Sequence, residues 1–308
     1  MRLTLTSLLA GTLLAACTPA NEPEAGDTEA GTVTTDTDAQ AQEQASEETA
    51  PPPVSLTEKW KASGFNAPEG VAAAPDGAYF ISNVGGDGSE KDGSGWISKV
   101  SPDGDVLAAE FATGMDAPKG MVVDRSILYV ADIDRVHMVD PADGTLLNTM
   151  EIDGAQGLND MTTWNASVLV SDSSGGRIWQ INGDEASVWL EDDRLKGVNG
   201  LLGDGDRLLV ATMSSGTLYE VTEAQEFSEI ATGMENADGI GLTDGGYLVS
   251  AWPGQVWFVS EDGETHELLN TQEEGILQND LTIIDGTVIV PNWLPGTVTA
   301  WSVEAAEE

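Results

Sequence analysis

The sequence predicts an all-β fold, a six-bladed β-propeller, and three observations carry the prediction. A five-residue motif recurs six times, with third positions at Glu69, Lys119, Asn159, Asn199, Asp238 and Asn279, in steps of 50, 40, 40, 39 and 41 residues. Each copy opens a short strand that leads through turns to a second and a third, and a period of about 40 residues with four short strands is that of a propeller blade. The last repeat is one strand short at Trp301-Ser302-Val303, whereas Leu56 to Ser63 precedes the first repeat with no blade of its own. That segment is expected to supply the missing strand, closing the ring and leaving no open edge.

The chain opens on a targeting segment. Arg2 gives a short positive region, and residues 3–16 are apolar or small but too few to span a bilayer. The run Leu14-Ala15-Ala16-Cys17 resembles the lipobox of bacterial lipoproteins, which implies cleavage before Cys17 and lipidation of its thiol. The resemblance further implies a cell-envelope location. Thr18 in place of Asp implies the outer membrane, facing periplasm or exterior, with the lipid as the only membrane contact. Cys17 is the single cysteine, so disulfides and thiolate metal sites are excluded. Residues 18–54 contain no Lys or Arg and almost no large apolar residue. Such a composition cannot offset the entropy of ordering. The expected organisation is a signal peptide over 1–16, a disordered acidic tether over 17–54 and the propeller over 55–304.

Within the propeller, the second strands read Tyr79-Phe80-Ile81-Ser82, Leu128-Tyr129-Val130-Ala131, Val168-Leu169-Val170-Ser171, Leu208-Leu209-Val210-Ala211, Tyr247-Leu248-Val249-Ser250 and Val288-Ile289-Val290-Pro291. Third strands follow at Trp96-Ile97, Val136-His137, Ile178-Trp179, Leu218-Tyr219, Val256-Trp257 and Val298-Thr299. Pro75-Asp76-Gly77, Pro102-Asp103-Gly104 and Glu261-Asp262-Gly263 mark turns. The net charge of -41 excludes nucleic acid, whose phosphates need a basic surface, and fits a hydrated monomer. It also makes an isolated Asp or Glu uninformative.

The third motif positions are informative as a set. In a propeller the inner strands line a central channel, so these six residues are expected to ring one mouth. Two carboxylates, three amides and one amine converge there, an oxygen-rich set suited to a hard divalent cation. The second strand runs back to the same face, which places Asn83, Asp132, Asp172, Met213, Trp252 and Trp293 in the expected wall of a small-molecule pocket. Lys119 and Asn279 complete it. Lys119 either offers a positive group to a ligand or pairs with Glu69. Trp252 and Trp293 either hold an apolar or ring-shaped ligand or pack within blades. The Gly-rich insertion Val84 to Gly95 leaves from this face, as a lid or as a solvated loop. His137 alternates with apolar neighbours in a strand, and His266 falls in a charged outer turn. No Ser-His-Asp arrangement or phosphate loop stands out.

Four motifs, taken in order, resemble those of the SMP-30/gluconolactonase/LRE-like family: Pro68-Glu69-Gly70, Asn159-Asp160, Asn199-Gly200 and Asp238-Gly239. The resemblance covers residues 57–303. It implies one divalent cation, usually Ca²⁺ with Mg²⁺ or Mn²⁺ open, held by Glu69, Asn159, Asn199 and Asp238, and hydrolysis of a lactone or related ester. Asp238 is the expected general base or nucleophile, since a ring carboxylate reaches both cation and water. The chain departs from the family at Gly157, where sugar lactonases often carry Arg. The competing expectation is a non-enzymatic envelope propeller with a structural ion that binds a ligand or protein partner.

Overall fold

Apolar runs of five or six residues, bounded by Gly-containing turns, set the strands. Gly77 and Gly263 adopt φ of 85° and 88°, a left-handed conformation that suits glycine, and Asp76 Oδ1 accepts a hydrogen bond from the Ala78 amide at 3.2 Å to close the first turn. A computed structural model describes residues 52–305. The expected signal peptide, Cys17 and nearly all of the tether lie outside the described residues.

The described chain forms six antiparallel sheets, five of them ordered from the channel outward in sequence order. Blade 1 consists of Pro68–Ala73, Tyr79–Asn83, Gly95–Val100 and Val106–Met115. Blades 2 to 5 repeat this plan, with inner strands Pro118–Asp124, Leu158–Trp164, Val198–Asp204 and Ala237–Thr243. In blade 6 the inner strand is split into Leu277–Gln278 and Thr282–Ile284, and the sheet continues through Thr287–Leu294 and Thr297–Ala305. Its outermost strand is the N-terminal Val54–Ser63, paired antiparallel from Val54 opposite Ala305 to Ser63 opposite Thr297. The N-terminal strand therefore closes the ring, as the short last repeat predicted. Val298-Thr299 and Trp301-Ser302-Val303, two separate segments in sequence terms, belong to one continuous strand.

Packing is organised between blades. Six apolar clusters each straddle one blade interface. Between blades 1 and 2, for example, Phe80, Ile97 and Met115 meet Met121, Leu128 and Val130. The second strands are consequently buried on both faces, whereas the outer strand Leu146–Glu151 of blade 2 is almost wholly exposed.

The channel mouth is shaped by a break in pairing that recurs in every inner strand. In blade 1, Pro68 pairs with Asn83 and Val71 with Ile81, so Glu69 and Gly70 together face Ser82. The same two-against-one irregularity occurs at Lys119-Gly120, Asn159-Asp160, Asn199-Gly200 and Asp238-Gly239. Such a bulge re-aims a side chain that strict alternation would send elsewhere. In blades 1, 3 and 5 a buried serine stabilises it: Ser82, Ser171 and Ser250 Oγ accept from the amides of Gly70, Asp160 and Gly239 at 2.8, 2.9 and 2.8 Å. In blade 6 the Asn279 amide donates instead to the Pro291 carbonyl at 3.0 Å. Glycine at the fourth motif position lets neighbouring inner strands approach closely: a Cβ on Gly70 would sit 2.7 Å from the Lys119 carbonyl oxygen.

Ser250→Ala leaves the Gly239 amide without its partner in the bulge that carries Asp238. The expected loss is about 1–3 kcal/mol of unfolding free energy, read by denaturant titration. An unchanged midpoint would show that the serine does not support the bulge.

Candidate functional site

The bulges bring the ring together. Glu69, Lys119, Asn159, Asn199, Asp238 and Asn279 all line one cavity of about 350 Å³ at the channel mouth, and Met213, Trp252 and Trp293 complete its wall. A larger hollow of about 740 Å³ opens on the outer surface near Val54, Leu242 and Phe258, with Asp244 as its one ionisable side chain. It offers no convergent set of reactive groups.

Three expected wall residues are not there. Asn83, Asp132 and Asp172 are fully buried and none lines the cavity. The reason is register. They pair with the second motif positions Pro68, Pro118 and Leu158, as Thr212 and Ala251 pair with Val198 and Ala237. Met213, Trp252 and Trp293 each stand one residue further on, and a one-residue step in a strand turns a side chain to the other face. The buried trio instead holds the loops that lead into the ring motifs. Asn83 Oδ1 accepts from the Asn66 amide at 3.1 Å. Asp132 accepts from the amides of Asp116 and Ala117 at 2.7 and 2.8 Å, and Asp172 from Gln156 at 3.1 Å.

These residues also tie across to the third strand. Asn83 Nδ2 donates to Ser98 Oγ at 3.0 Å, Trp179 Nε1 donates to Asp172 at 3.2 Å, and Asn292 Nδ2 donates to Thr299 Oγ1 at 3.0 Å. In blade 2 the equivalent tie joins Asp132 to His137 Nε2 at 2.9 Å, and His137 Nδ1 contacts Thr149 Oγ1 at 2.9 Å. This Asp-His-Thr chain has the connectivity of a nucleophile, base and orienter. It repeats a tie found in other blades, and Thr149 lies on an exposed outer strand, so its role is structural. His266 lies on the outer strand Thr265–Asn270 rather than in a turn. The insertion after Val84 is pinned to blade 2, through Lys91 to Asp134 at 2.5 Å and the Gly93 amide to Asp116 at 3.0 Å, and contributes nothing to the cavity lining.

Electrostatics single out the ring. Burial pushes the Glu69 carboxyl up to about 8, opposed by the Lys119 charge and reinforced by Asp238 and Asp160. Burial likewise raises Asp238 to about 7, with Asp160 adding to the rise and Lys119 opposing it. Lys119 is half-buried and makes no direct ion pair or hydrogen bond among the described residues, so the expected alternative of a contact with Glu69 is not what the structure shows. Asp160 and Asp280 were not among the sequence candidates. Both occupy the fourth motif position, where the other four repeats have Gly, and that exception was the available signal. Asp160 accepts from the Leu201 amide of the next blade at 2.7 Å, and Asp280 from its neighbour Leu281 at 2.7 Å. Burial raises Asp160 to about 7 and Asp280 well above the usual carboxylate range, the latter also through the charges of Asp160, Asp238 and Glu69.

The ring fits a hard cation in one specific respect. Asn199 is 3% exposed, its Nδ2 donates to Met213 Sδ at 3.4 Å, and its Oδ1 has no partner. A buried carbonyl oxygen left unpaired is costly, and here it shares a cavity with two desolvated carboxylates. Among the described residues no three His, Cys, Asp or Glu side chains form a metal cage. A site here therefore draws on amide oxygens and water as well as Glu69 and Asp238, as Ca²⁺ allows.

No protein-family model and no curated protein matches the chain. Solved structures do. A putative gluconolactonase aligns at 17% identity and a TM-score of 0.61, covering 83% of this chain and 94% of that one. A gluconolactonase from Xanthomonas campestris aligns at 16% and 0.59, covering 81% and 89%. A catalytically inactive histidine-to-alanine variant of virginiamycin B lyase from Staphylococcus aureus, with quinupristin, aligns at 13% and 0.57, covering 81% and 99%.

The raised carboxyls make stability depend on pH, and would make any cation binding at the ring depend on it too. Values of about 8 and 7 in the fold lie above the ordinary 4.5 and 3.8. The stabilising contribution of these groups is thus complete below the ordinary values and is lost as pH rises through 7 and 8. A divalent cation held by the ionised forms would restore it. Thermal unfolding with excess Ca²⁺ and with chelator should therefore show a Tm gap that widens by at least about 5 °C between about pH 5 and pH 8. A gap that does not change with pH would contradict cation binding at these carboxylates. At identities this low, the solved structures share with this chain the six-bladed propeller fold, gluconolactonases among them.

Proposed function

We propose that the protein is a divalent-cation-dependent hydrolase that opens a lactone or related ester at the channel mouth, with Ca²⁺ as its cation. The observation that carries this is the unpartnered Asn199 Oδ1 beside the buried Glu69 and Asp238 carboxyls. Glu69, Asn159, Asn199 and Asp238 supply the ligand oxygens. When bound, the cation polarises the substrate carbonyl and stabilises developing negative charge. Asp238, at about 7 in the protein alone, is matched to take a proton from the attacking water near neutral pH. Asp238 would keep its base form populated at neutral pH with a cation held beside it, since a neighbouring positive charge favours the carboxylate. Met213, Trp252 and Trp293 shield the reacting groups from bulk water. The likeness to gluconolactonases supports the reading at the level of fold.

Lyase chemistry dependent on a histidine has less support. The inactive lyase variant lacks a histidine side chain. In this chain His137 is tied to Asp132 within blade 2 and His266 lies on an outer strand, so no histidine is among the described residues lining the cavity. Export and lipid anchoring through Cys17 belong to the same proposal, with a small-molecule substrate met in the bacterial cell envelope by a monomeric enzyme.

Asp238→Asn keeps a ligand oxygen but removes the base. Turnover of a panel of lactones and aryl esters should fall by at least about 100-fold, while calorimetry still detects Ca²⁺ binding. Undiminished turnover in that variant would overturn the role of Asp238.

A further inference from the structure

The cavity combines a polar ring, to which all six blades contribute, with an apolar wall on blades 4 to 6 alone, and this asymmetry selects a substrate. Met213, Trp252 and Trp293 stand on blades 4, 5 and 6. The two indoles meet edge to face, with centroids 6.2 Å apart and planes at 83°. This wall presents ring faces, methylenes and a thioether whose sulfur already accepts from Asn199 at 3.4 Å. Apart from the indole N–H groups it has no strong hydrogen-bonding capacity. Glu69, Lys119 and Asn159 stand on blades 1, 2 and 3. The Lys119 ammonium carries three donor positions. It makes no ion pair or hydrogen bond among the described residues, and the other five ring residues are carboxylates and amides.

Blade 2 lies three blades from blade 5, so Lys119 and Trp252 oppose one another across the channel. A volume of about 350 Å³ is at the small end of ligand cavities, which run from about 300 to 1,000 Å³. It accommodates one ring with a short substituent. The ring offers a polyhydroxylated lactone polar partners on one side only, and hydroxyls turned to Met213, Trp252 and Trp293 would go unpaired, which weakens binding. Glycine at position 157 adds no donor on the charged side.

We infer that the substrate is an amphiphilic lactone or ester. Its apolar, ring- or alkyl-bearing acyl part lies on Trp252 and Trp293, and its carbonyl end is turned toward Lys119. This rests on the hydrolase reading above. Water adds to the acyl carbon, and the ring C–O bond breaks with the departing oxygen taking one water proton. The acid formed releases the other, leaving a carboxylate beside Lys119.

Binding and turnover separate the two readings. The Ca²⁺-loaded full-length protein is titrated by calorimetry with gluconate and with the ring-opened acid of γ-phenyl-γ-butyrolactone. The aryl hydroxy acid should bind at least about tenfold more tightly. Trp252→Ala and Trp293→Ala should each weaken it by about tenfold and leave gluconate unchanged, with Trp252→Phe retaining most of the affinity. Lys119→Met should weaken both acids, and Lys119→Arg should restore them. Gluconate binding as tightly as the aryl acid, or tryptophan variants without effect, would overturn the substrate class. Aryl-acid binding as stated without turnover of either parent lactone would sink the hydrolase reading and leave the ligand class standing. Turnover with gluconolactone preferred would do the reverse.

Discussion

The site depends on one backbone irregularity. At the start of the inner strand in blades 1 to 5 two residues stand against one on the neighbouring strand, in blade 6 the inner strand is split at the same place, and the first of the two residues is aimed into the channel. Regular pairing would alternate side chains between the faces of each blade and bury them in the interfaces that hold the ring together. The bulge takes one position per blade out of that alternation. Its support comes from both sides. Ser82, Ser171 and Ser250 hold it from the second strand, and Asn83, Asp132 and Asp172 hold the loop that enters it. Closure by the N-terminal strand then fixes blade 6 against blade 1, so the six positions meet at one point.

What meets there is electrically unbalanced. Glu69, Asp160, Asp238 and Asp280 crowd the channel with Lys119 as the single cation beside them, and burial holds all four carboxyls above their ordinary range. Asp160 is partly compensated by two backbone amides and Asp280 by one. Glu69 and Asp238 have no such donors among the described hydrogen bonds. With Asn199 Oδ1 also unpaired, the upper layer of the channel lacks positive charge that the chain itself does not provide. Protons at low pH or a divalent cation at higher pH would each satisfy the same deficit, so the proposed cation and the expected pH response rest on one feature.

Most of the fold was legible in the sequence, because a repeat of constant length repeats its strand pattern and the short last blade calls for the N-terminal strand. The six ring residues were legible for the same reason, and all line the cavity. Of the expected wall residues, those on blades 4 to 6 line the cavity, and those on blades 1 to 3 fall one residue short of it. There, polar residues at the strand ends resembled pocket groups but serve buried loop amides. Charge alone does not separate these uses. The discriminating feature is pairing opposite the second motif position, which becomes visible only once the bulge is placed. Asp160 and Asp280 do not stand out by charge, because acidic residues are abundant in this chain. Their departure from Gly at a position packed against the neighbouring blade was the informative feature.

The solved structures that share this propeller include gluconolactonases and a lyase, so the fold alone leaves the chemistry to the ring and its wall. The central claim is that Glu69, Asn159, Asn199 and Asp238 hold a divalent cation. Anomalous diffraction from crystals grown with Ca²⁺ tests it most directly. A single peak within about 2.3–2.6 Å of oxygens from those four residues is the predicted result. An empty ring, with Asn199 Oδ1 bonded to water and Lys119 paired to Glu69, would contradict it.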